Sequence, residues 1–271
     1  MSDSKELATT NGGALATADF GDFAGQGFED VGRDEILIPF ISVLQAISPQ
    51  LDQFDDAKAG MLYNSVTDVR TPGAEGITLV PAFRKHVVLE FKPDRGGFVA
   101  EHDVKDPAMQ AIKAANGGNF YEATTEDGND LVESFQVYVV LCDSDGEVEG
   151  FACLPFSASK VKVFKKWHNA MLMYKHALPD GKRVQPPMFS HLTKLTTVQE
   201  TNAKGEKYYN FVLSPANGER SASIISPVND QRALAARELI ELVGSGAAKV
   251  DQNAEAGGAE SQAAGDDDIP F

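Results

Sequence analysis

The spacing of apolar residues along the chain predicts a body made mainly of β-strands. Two segments, 77–83 and 86–91, are dense in β-branched and aromatic residues, and each predicts a strand. The basic residues Arg84 and Lys85 stand between these segments, where we expect a turn. Residues 107–115 predict a short helix, because two glycines follow and end the pattern.

The clearest local pattern is a hairpin over residues 131–156. Its centre is the dipeptide Asp145-Gly146, which favours a type I′ turn between two strands. A two-residue loop at this point does not place Cys142 opposite Cys153. The pattern therefore predicts two buried, reduced thiols and no disulfide.

A helix is predicted after the hairpin, with Ser157 as its N-cap. Phe164, Trp167 and Met171 recur at steps of three and four, which places them on one apolar stripe. Most of the lysines in this segment fall on another face. Two more strands and a terminal helix are predicted at 189–199, 207–213 and 228–243.

These elements predict an α+β, mainly β fold. A helix inserted between the third and fourth strands of a small barrel is the pattern of the oligonucleotide-binding (OB) fold, so we expect an OB-like barrel with an inserted helix and a C-terminal helix. A generic α+β sheet fits the same order of elements and stays open as an alternative. The predicted organisation is a flexible acidic arm (1–35), a body (36–243), a flexible linker (244–265) and a terminal peptide (266–271).

Charge is distributed unevenly along the chain. The formal net charge of −16 argues against a nucleic-acid binder, because neutralising phosphates needs a basic surface. Residues 158–220, however, hold eleven Lys and Arg against four Asp and Glu, whereas residues 1–35 hold eight acids and two bases. A basic band therefore lies within the body, and much of the acidity belongs to the ends.

The sequence favours a cytoplasmic protein. It has only two cysteines, and acidic residues stand where a signal peptide would be hydrophobic. The most apolar stretch, 36–44, contains Pro39 and is too short to span a bilayer, so we expect no membrane association.

The end of the chain carries a resemblance to a known family. Its last six residues are Asp266, Asp267, Asp268, Ile269, Pro270 and Phe271. This hexapeptide resembles the C-terminal tip of bacterial single-stranded-DNA-binding proteins, which ends in the same Asp-Asp-Asp-Ile-Pro-Phe after a Gly-rich linker. The rest of the chain does not follow the bacterial pattern, since it has an acidic arm and a larger body. The segments LIPFISVLQAISPQ and GMLYNSVT are also similar to phage replication-region proteins.

The resemblance implies a phage-encoded single-stranded-DNA-binding protein, acting in the bacterial cytoplasm, whose tip recruits replication or repair proteins. The chemistry of the tip also favours recruitment. The ring and α-carboxylate of Phe271 fit an apolar pocket beside a basic residue, and Pro270 restricts the peptide to an extended geometry. The three aspartates attract a basic rim. The acidic tail can also fold back and compete with DNA for the basic band.

Single-stranded DNA needs cations along its backbone and aromatic faces for its bases. The candidate DNA-binding residues are Arg84, Lys85, Lys160, Lys162, Lys165, Lys166, Trp167, Lys182, Arg183, Lys204, Lys207 and Tyr208. Trp167 lies on the apolar stripe, so it is either a core residue or a stacking platform. Tyr208 and Tyr209 point to opposite faces of a strand, so one is expected to be buried and the other to stack.

No enzyme motif is present. The sequence contains no Walker loop, nucleophile elbow or metal-ligand spacing of Cys and His, so we expect no catalysis, no metal and no cofactor. Two alternatives to a DNA-coating protein stay open. One is a recombination mediator or annealing protein, and the other is an adaptor or decoy that captures host proteins without binding DNA. The sequence also leaves open whether the chain forms a homo-oligomer.

Overall fold

The computed structural model describes residues 36–246 and 248–250. These residues form a mixed α+β structure that is mainly β. The arm predicted at 1–35 and the peptide predicted at 266–271 lie outside the described residues, as does the predicted linker beyond residue 250.

The described residues form the following strands and helices. The strands are β1 (Ile36–Ile38), β2 (Ile41–Val43), β3 (Leu62–Asn64), β4 (Arg70–Thr71), β5 (Ile77–Phe91), β6 (Phe98–Asp103), β7 (Asp130–Cys142), β8 (Val148–Ser157), β9 (His176–Ala177), β10 (Arg183–Val184), β11 (Thr193–Thr201), β12 (Lys207–Pro215) and β13 (Ala248–Val250). The helices are α1 (Gln50–Gln53), α2 (Pro107–Ala115), α3 (Lys160–Leu172) and α4 (Gln231–Gly244). The predicted helix at 107–115 is therefore confirmed as α2.

The main sheet has six strands, all paired antiparallel. Its order is β12-β11-β5-β7-β8, and β6 pairs with the second half of β5. The smaller sheets are β2-β3-β4, β9-β10 and the parallel pair β1-β13. The helix α3 enters between β8 and β11 in the chain, which is the position predicted for it.

The expected turn at Arg84 and Lys85 does not exist. Residues 77–91 form one continuous strand, β5, which pairs with β7 along its length. A bulge between Pro81 and Phe83 bends the strand, so the chain changes direction without leaving the sheet. The bulge also places Ala82 and Phe83 toward the same apolar cluster, which reverses the alternation of side chains beyond it.

From Ser134 to Leu141 the strand β7 pairs with β8 in the predicted register, but at Cys142 the register shifts, so Cys142 pairs with Val148 and not with Glu149, and the turn also differs. Tyr138 pairs with Cys153, and both cysteines are buried and form no disulfide, as predicted. A type I′ turn needs two residues with positive φ, and in this loop only Gly146 has one (84°). The Asp143 carboxylate accepts hydrogen bonds from the N–H groups of Asp145 and Glu147, and this widens the loop.

The predicted α+β, mainly β class is confirmed, whereas the main sheet is curved but is not closed into a barrel. Rings from its two edge strands, Phe156 on β8 and Phe211 on β12, lie 5.7 Å apart, which shows how strongly the sheet curves. The gap between these edges is occupied by the segment around β2. Phe40 forms a parallel bridge with Cys153, and the side-chain amide of Gln45 makes two hydrogen bonds of 2.8 Å with the main chain of Tyr209.

Two helices cover opposite faces of this curved sheet. The inner face carries the odd-numbered residues of β7 from Phe135 to Leu141, and α3 packs on it through its buried apolar residues. The outer face carries Tyr138, Val140 and Cys142, and α4 packs on it. Burying these two apolar layers stabilises the body at roughly 25 cal/mol per Å² of apolar surface removed from water.

Candidate nucleic-acid interface

The helix α3 presents three lysines to solvent. Its apolar stripe is buried as predicted, and Ser159 precedes the helix in place of the predicted N-cap Ser157, which ends β8. The exposed lysines are Lys162, Lys165 and Lys166. Lys160 is instead 6% exposed, and its Nζ lies 4.9 Å from the centre of the Phe211 ring. Lys160 is therefore part of the core and does not lie with the exposed lysines of α3.

Trp167 is a core residue. Its side chain is 5% exposed, and its ring centroid lies 6.3 Å from that of Phe156 and 6.5 Å from that of Phe164. Both rings belong to the apolar cluster under α3. Of the two interpretations, the structure therefore favours the core one, and the stacking interpretation stays a prediction that the substitution of Trp167 tests below.

Arg84 and Lys85 lie on opposite faces of β5. Arg84 is exposed beside α3, and its Cζ lies 5.8 Å from the ring of Phe135 and 6.0 Å from that of Phe164. Lys85 is half-buried on the outer face, with its Nζ 3.8 Å from a carboxylate oxygen of Glu101. The structure therefore brings Arg84, and not Lys85, next to the basic helix.

The remaining candidates lie on two hairpins. Lys182 and Arg183 are exposed on the hairpin of β9 and β10, where Lys182 pairs with Asp180 at 3.3 Å. Lys204 and Lys207 are exposed at the tip of the hairpin of β11 and β12. Tyr208 is half-buried, and its hydroxyl donates to Glu200 at 2.7 Å. The exposed candidates of the basic band thus form three groups, one on α3 and one on each of these hairpins.

The candidate DNA-binding residues do not include four polar residues that accompany Arg84 in the structure. His86 stacks on the buried ring of Phe135 with 3.9 Å between centroids, and its Nε2 lies 2.9 Å from Oε1 of Glu133. Lys113, in the last turn of α2, donates to the same oxygen at 3.4 Å. His168 on α3 stacks on Phe164 at 5.2 Å. The Arg84 cluster is defined here as Arg84, His86, Lys113, Glu133 and His168.

Simple periodicity could have found two of these residues. His86 lies two positions after Arg84, which places both on one face of a strand. His168 lies four positions after Phe164 and three after Lys165, which places all three on one side of a helix. Lys113 and Glu133 meet only through the packing of α2 on the sheet, which no local pattern shows.

The electrostatics of the Arg84 cluster favour a surface that accepts anions. The hydrogen bond with His86 holds the pKa of Glu133 below its usual value, with the charge of Lys113 helping. The Glu133 carboxylate is therefore ionised and already paired at neutral pH. Burial, with the charge of Arg84 adding to it, lowers the pKa of His168, so this ring is uncharged at neutral pH. The exposed cation Arg84 lies near the rings of Phe135 and Phe164, on which the half-buried rings of His86 and His168 stack.

Within the described residues, no group of three or more His, Cys, Asp or Glu side chains is arranged to hold a metal ion. None of the helices formed by those residues is both long and apolar enough to cross a membrane.

Comparison with known proteins identifies a family. No curated protein and no solved structure matches the chain. A family model described as Pam3 phage gp34-like protein matches residues 8–249, which is most of the chain and includes the whole of the main sheet. The chain therefore belongs to the family of Pam3 phage gp34-like proteins.

Proposed function

We propose that this phage-family protein binds single-stranded DNA through the Arg84 cluster and the exposed lysines of α3. The observation that carries the proposal is the position of Arg84, an exposed cation near Phe135 and Phe164, the two rings on which the half-buried imidazoles of His86 and His168 stack. Sequence-tolerant binding of single strands combines cations that follow the backbone with flat rings on which bases stack. Histidine rings and arginine planes both serve as such stacking surfaces.

The fold that we propose for the body is an open OB-type barrel. The five long strands β5, β7, β8, β11 and β12 form one curved sheet with the spatial order β8-β7-β5-β11-β12. A helix lies between the third and fourth of them, and OB domains are described as partly open barrels that bind oligonucleotides. The segment around β2 then replaces direct pairing between the two edge strands.

The second half of the proposal concerns the terminal peptide. Asp266 to Phe271 recruits replication or repair proteins, and the protein works by binding rather than by catalysis, in the cytoplasm of the bacterial host. The support is the residue composition of the peptide and its likeness to the bacterial tip. DNA binding and recruitment are separate functions of separate segments, so each has its own test.

A pair of neighbouring residues tests the DNA-binding site. Arg84→Gln and Lys85→Gln remove the same charge from adjacent positions on opposite faces of β5. We expect Arg84→Gln to weaken binding of a labelled dT oligomer and to reduce the slope of log affinity against log salt by about 0.7, because one phosphate contact is lost. Lys85→Gln keeps most of the affinity. Fluorescence anisotropy at about 50 mM and about 200 mM salt measures both quantities.

Three results would decide the question differently. Loss of affinity in Lys85→Gln alone would place the strand on the outer face and not at the Arg84 cluster. Equal losses in both variants would show nonspecific attraction by net charge. Absence of any salt-dependent binding by the wild-type protein would refute the DNA-binding function.

Deletion of Phe271 alone tests recruitment. We expect it to abolish binding to bacterial replication and repair enzymes that recognise the bacterial tip, because the ring is lost and the α-carboxylate moves to Pro270, away from the ring's pocket. Binding of the dT oligomer stays the same or becomes slightly tighter. If the deletion leaves enzyme binding unchanged, the terminal peptide is not the recruiting element.

A further inference from the structure

The short hairpin of β9 and β10 projects from the body. Its register pairs Ala177 with Arg183 and His176 with Val184, and Leu178 N–H donates to the carbonyl oxygen of Lys182 at 2.7 Å. All residues from 177 to 185 are exposed. Both faces of this two-stranded ribbon are therefore open to solvent. Residues 175–184 are called the ribbon below.

The ribbon has the composition of a binding element. Its exposed apolar side chains, Leu178 (36%) and Val184 (40%), follow two more at the end of α3, Leu172 (46%) and Met173 (80%). The ribbon also carries three cations against one acid: Lys175, Lys182 and Arg183 against Asp180. A lone two-stranded hairpin is marginally stable in water, so contact with a partner would stabilise a ribbon of this length.

The base of the ribbon adjoins the Arg84 cluster. A shallow hollow beside α3 is lined by His168 and Leu172 on the helix and by Gln185 and Pro186 on the segment that follows the ribbon. Gln185 directly follows Val184, the last ribbon residue. His168 belongs to the Arg84 cluster and is close enough to Arg84 for that charge to affect its pKa. The ribbon thus starts at the rim of the proposed DNA site.

We propose that the ribbon closes over single-stranded DNA bound at the Arg84 cluster. Charge complementarity selects this occupant, since the ribbon cations face a polyanion and its apolar side chains can contact unstacked bases. Continuity with the Arg84 cluster through His168 and Gln185 supports the same choice. The inference rests on the proposed DNA-binding function and adds to it the element that holds the strand from the second side.

A label on the ribbon tests the closure directly. Both native cysteines are buried, and burial raises the pKa of Cys142 to about 11, so neither reacts readily with a thiol-specific dye. Asp180→Cys therefore introduces one reactive site at the ribbon turn of the full-length protein. We expect the dye emission to change when the dT oligomer binds. The same dye on Glu238→Cys, an exposed position of α4 on the outer face, stays unchanged.

A charge variant provides a second measurement. Lys182→Gln combined with Arg183→Gln is expected to weaken dT binding by at least about fivefold at low salt, because two phosphate contacts are lost. Lys92→Gln combined with Lys105→Gln removes the same charge from exposed positions elsewhere and leaves the affinity close to that of the wild type.

The possible outcomes separate this inference from the function on which it rests. If the oligomer binds while both the ribbon dye and the ribbon variant behave like their controls, the ribbon proposal is overturned and DNA binding stands. If the wild-type protein binds no oligomer, DNA binding itself fails and the ribbon proposal fails with it.

A dye signal that depends on protein concentration without DNA assigns the ribbon to a second copy of the chain. A signal that changes on deletion of residues 251–271 without DNA assigns it to the acidic tail. Either result overturns the proposal.

Discussion

The faces of β5 on which Arg84 and Lys85 lie depend on a single extra residue in the strand. Counting alternate residues from Leu79, which lies in the inner-face cluster, would place Lys85 and not Arg84 on that face. The bulge between Pro81 and Phe83 reverses the count, so Arg84 faces α3 and Lys85 faces Glu101. The sequence shows that both residues are basic, and its pattern predicts a turn at this point between two strands. It cannot predict the bulge, because the bulge depends on pairing with β7.

Replacement of Trp167 tests its place in the core. Trp167→Ala should lower the free energy of unfolding by about 3–5 kcal/mol, because a large buried ring leaves a cavity. Lys166→Ala, the neighbouring exposed position, should change it by no more than about 0.5 kcal/mol. Urea denaturation measures both. A small effect of Trp167→Ala together with a large loss of DNA affinity would restore the stacking interpretation.

His191 makes stability depend on pH. Burial, with the charge of Arg220 adding to it, lowers the pKa of this 3% exposed histidine to about 4. An ordinary histidine of the unfolded chain titrates near about 6.5. Between these values the unfolded chain binds more protons than the folded protein. The free energy of unfolding therefore falls as the pH drops through this window, by at most about 1.4 kcal/mol per pH unit.

The substitution His191→Gln removes this titration and should flatten the dependence between about pH 6.5 and about pH 4.5. Urea unfolding of the wild-type protein and the variant at several pH values gives the comparison. Equal slopes in the two proteins would show that other groups cause the acid sensitivity.

At the scale of elements, the turns of the β7–β8 and β11–β12 hairpins share one hydrogen-bonding pattern. Asp143 and Asn202 each use a side-chain oxygen to accept hydrogen bonds from the N–H groups two and four residues later. In each loop a glycine three residues after the acceptor has positive φ, Gly146 at 84° and Gly205 at 82°. The sequence predicts where both turns occur. It does not predict the turn type, because the capture of the backbone by the Asp or Asn side chain competes with the shorter loop.

Glycine substitution distinguishes backbone conformation from packing in these turns. Nothing lies within 4 Å of a Cβ built at Gly205, so Gly205→Ala should cost about 1–2 kcal/mol from its positive φ alone. Gly150→Ala is the matched control, since its site is equally open and its φ is not positive. We expect it to leave the free energy of unfolding unchanged or slightly raised. Similar losses for both variants in urea denaturation would contradict the conformational explanation.

At the scale of the whole molecule, the sequence predicts which strands and helices form better than it predicts whether the edge strands of the main sheet pair to close a barrel. The order of the long strands and the place of α3 follow from periodicity and turn signals. The open edge does not, because it depends on Gln45 reaching Tyr209, which lies 164 positions further along the chain. An amide side chain that bonds to both the N–H and the carbonyl of a strand residue substitutes for a neighbouring strand. No local sequence pattern predicts such a long-range contact.

Removal of the acidic tail tests electrostatics at the same scale. Residues 251–271 contain six acidic and no basic residues. If the tail competes with DNA for the basic band, its deletion should tighten binding of the dT oligomer, and most strongly at low salt, where charges are least screened. Anisotropy titrations of full-length and shortened protein at about 50 mM and about 200 mM salt make the comparison. An unchanged affinity at low salt would contradict competition by the tail.

The pairing of β1 with β13 fixes both ends of the body at one place. Ile36 pairs with Ala248 and Ile38 with Val250 in a parallel ladder of three residues, so the points where the two outer segments attach lie within about 10 Å of each other. The segments 1–35 and 251–271 each carry a net charge of −6, which is most of the −16 of the whole chain. Both acidic segments are therefore attached on one side of the body, and their combined charge repels a polyanion that approaches from that side.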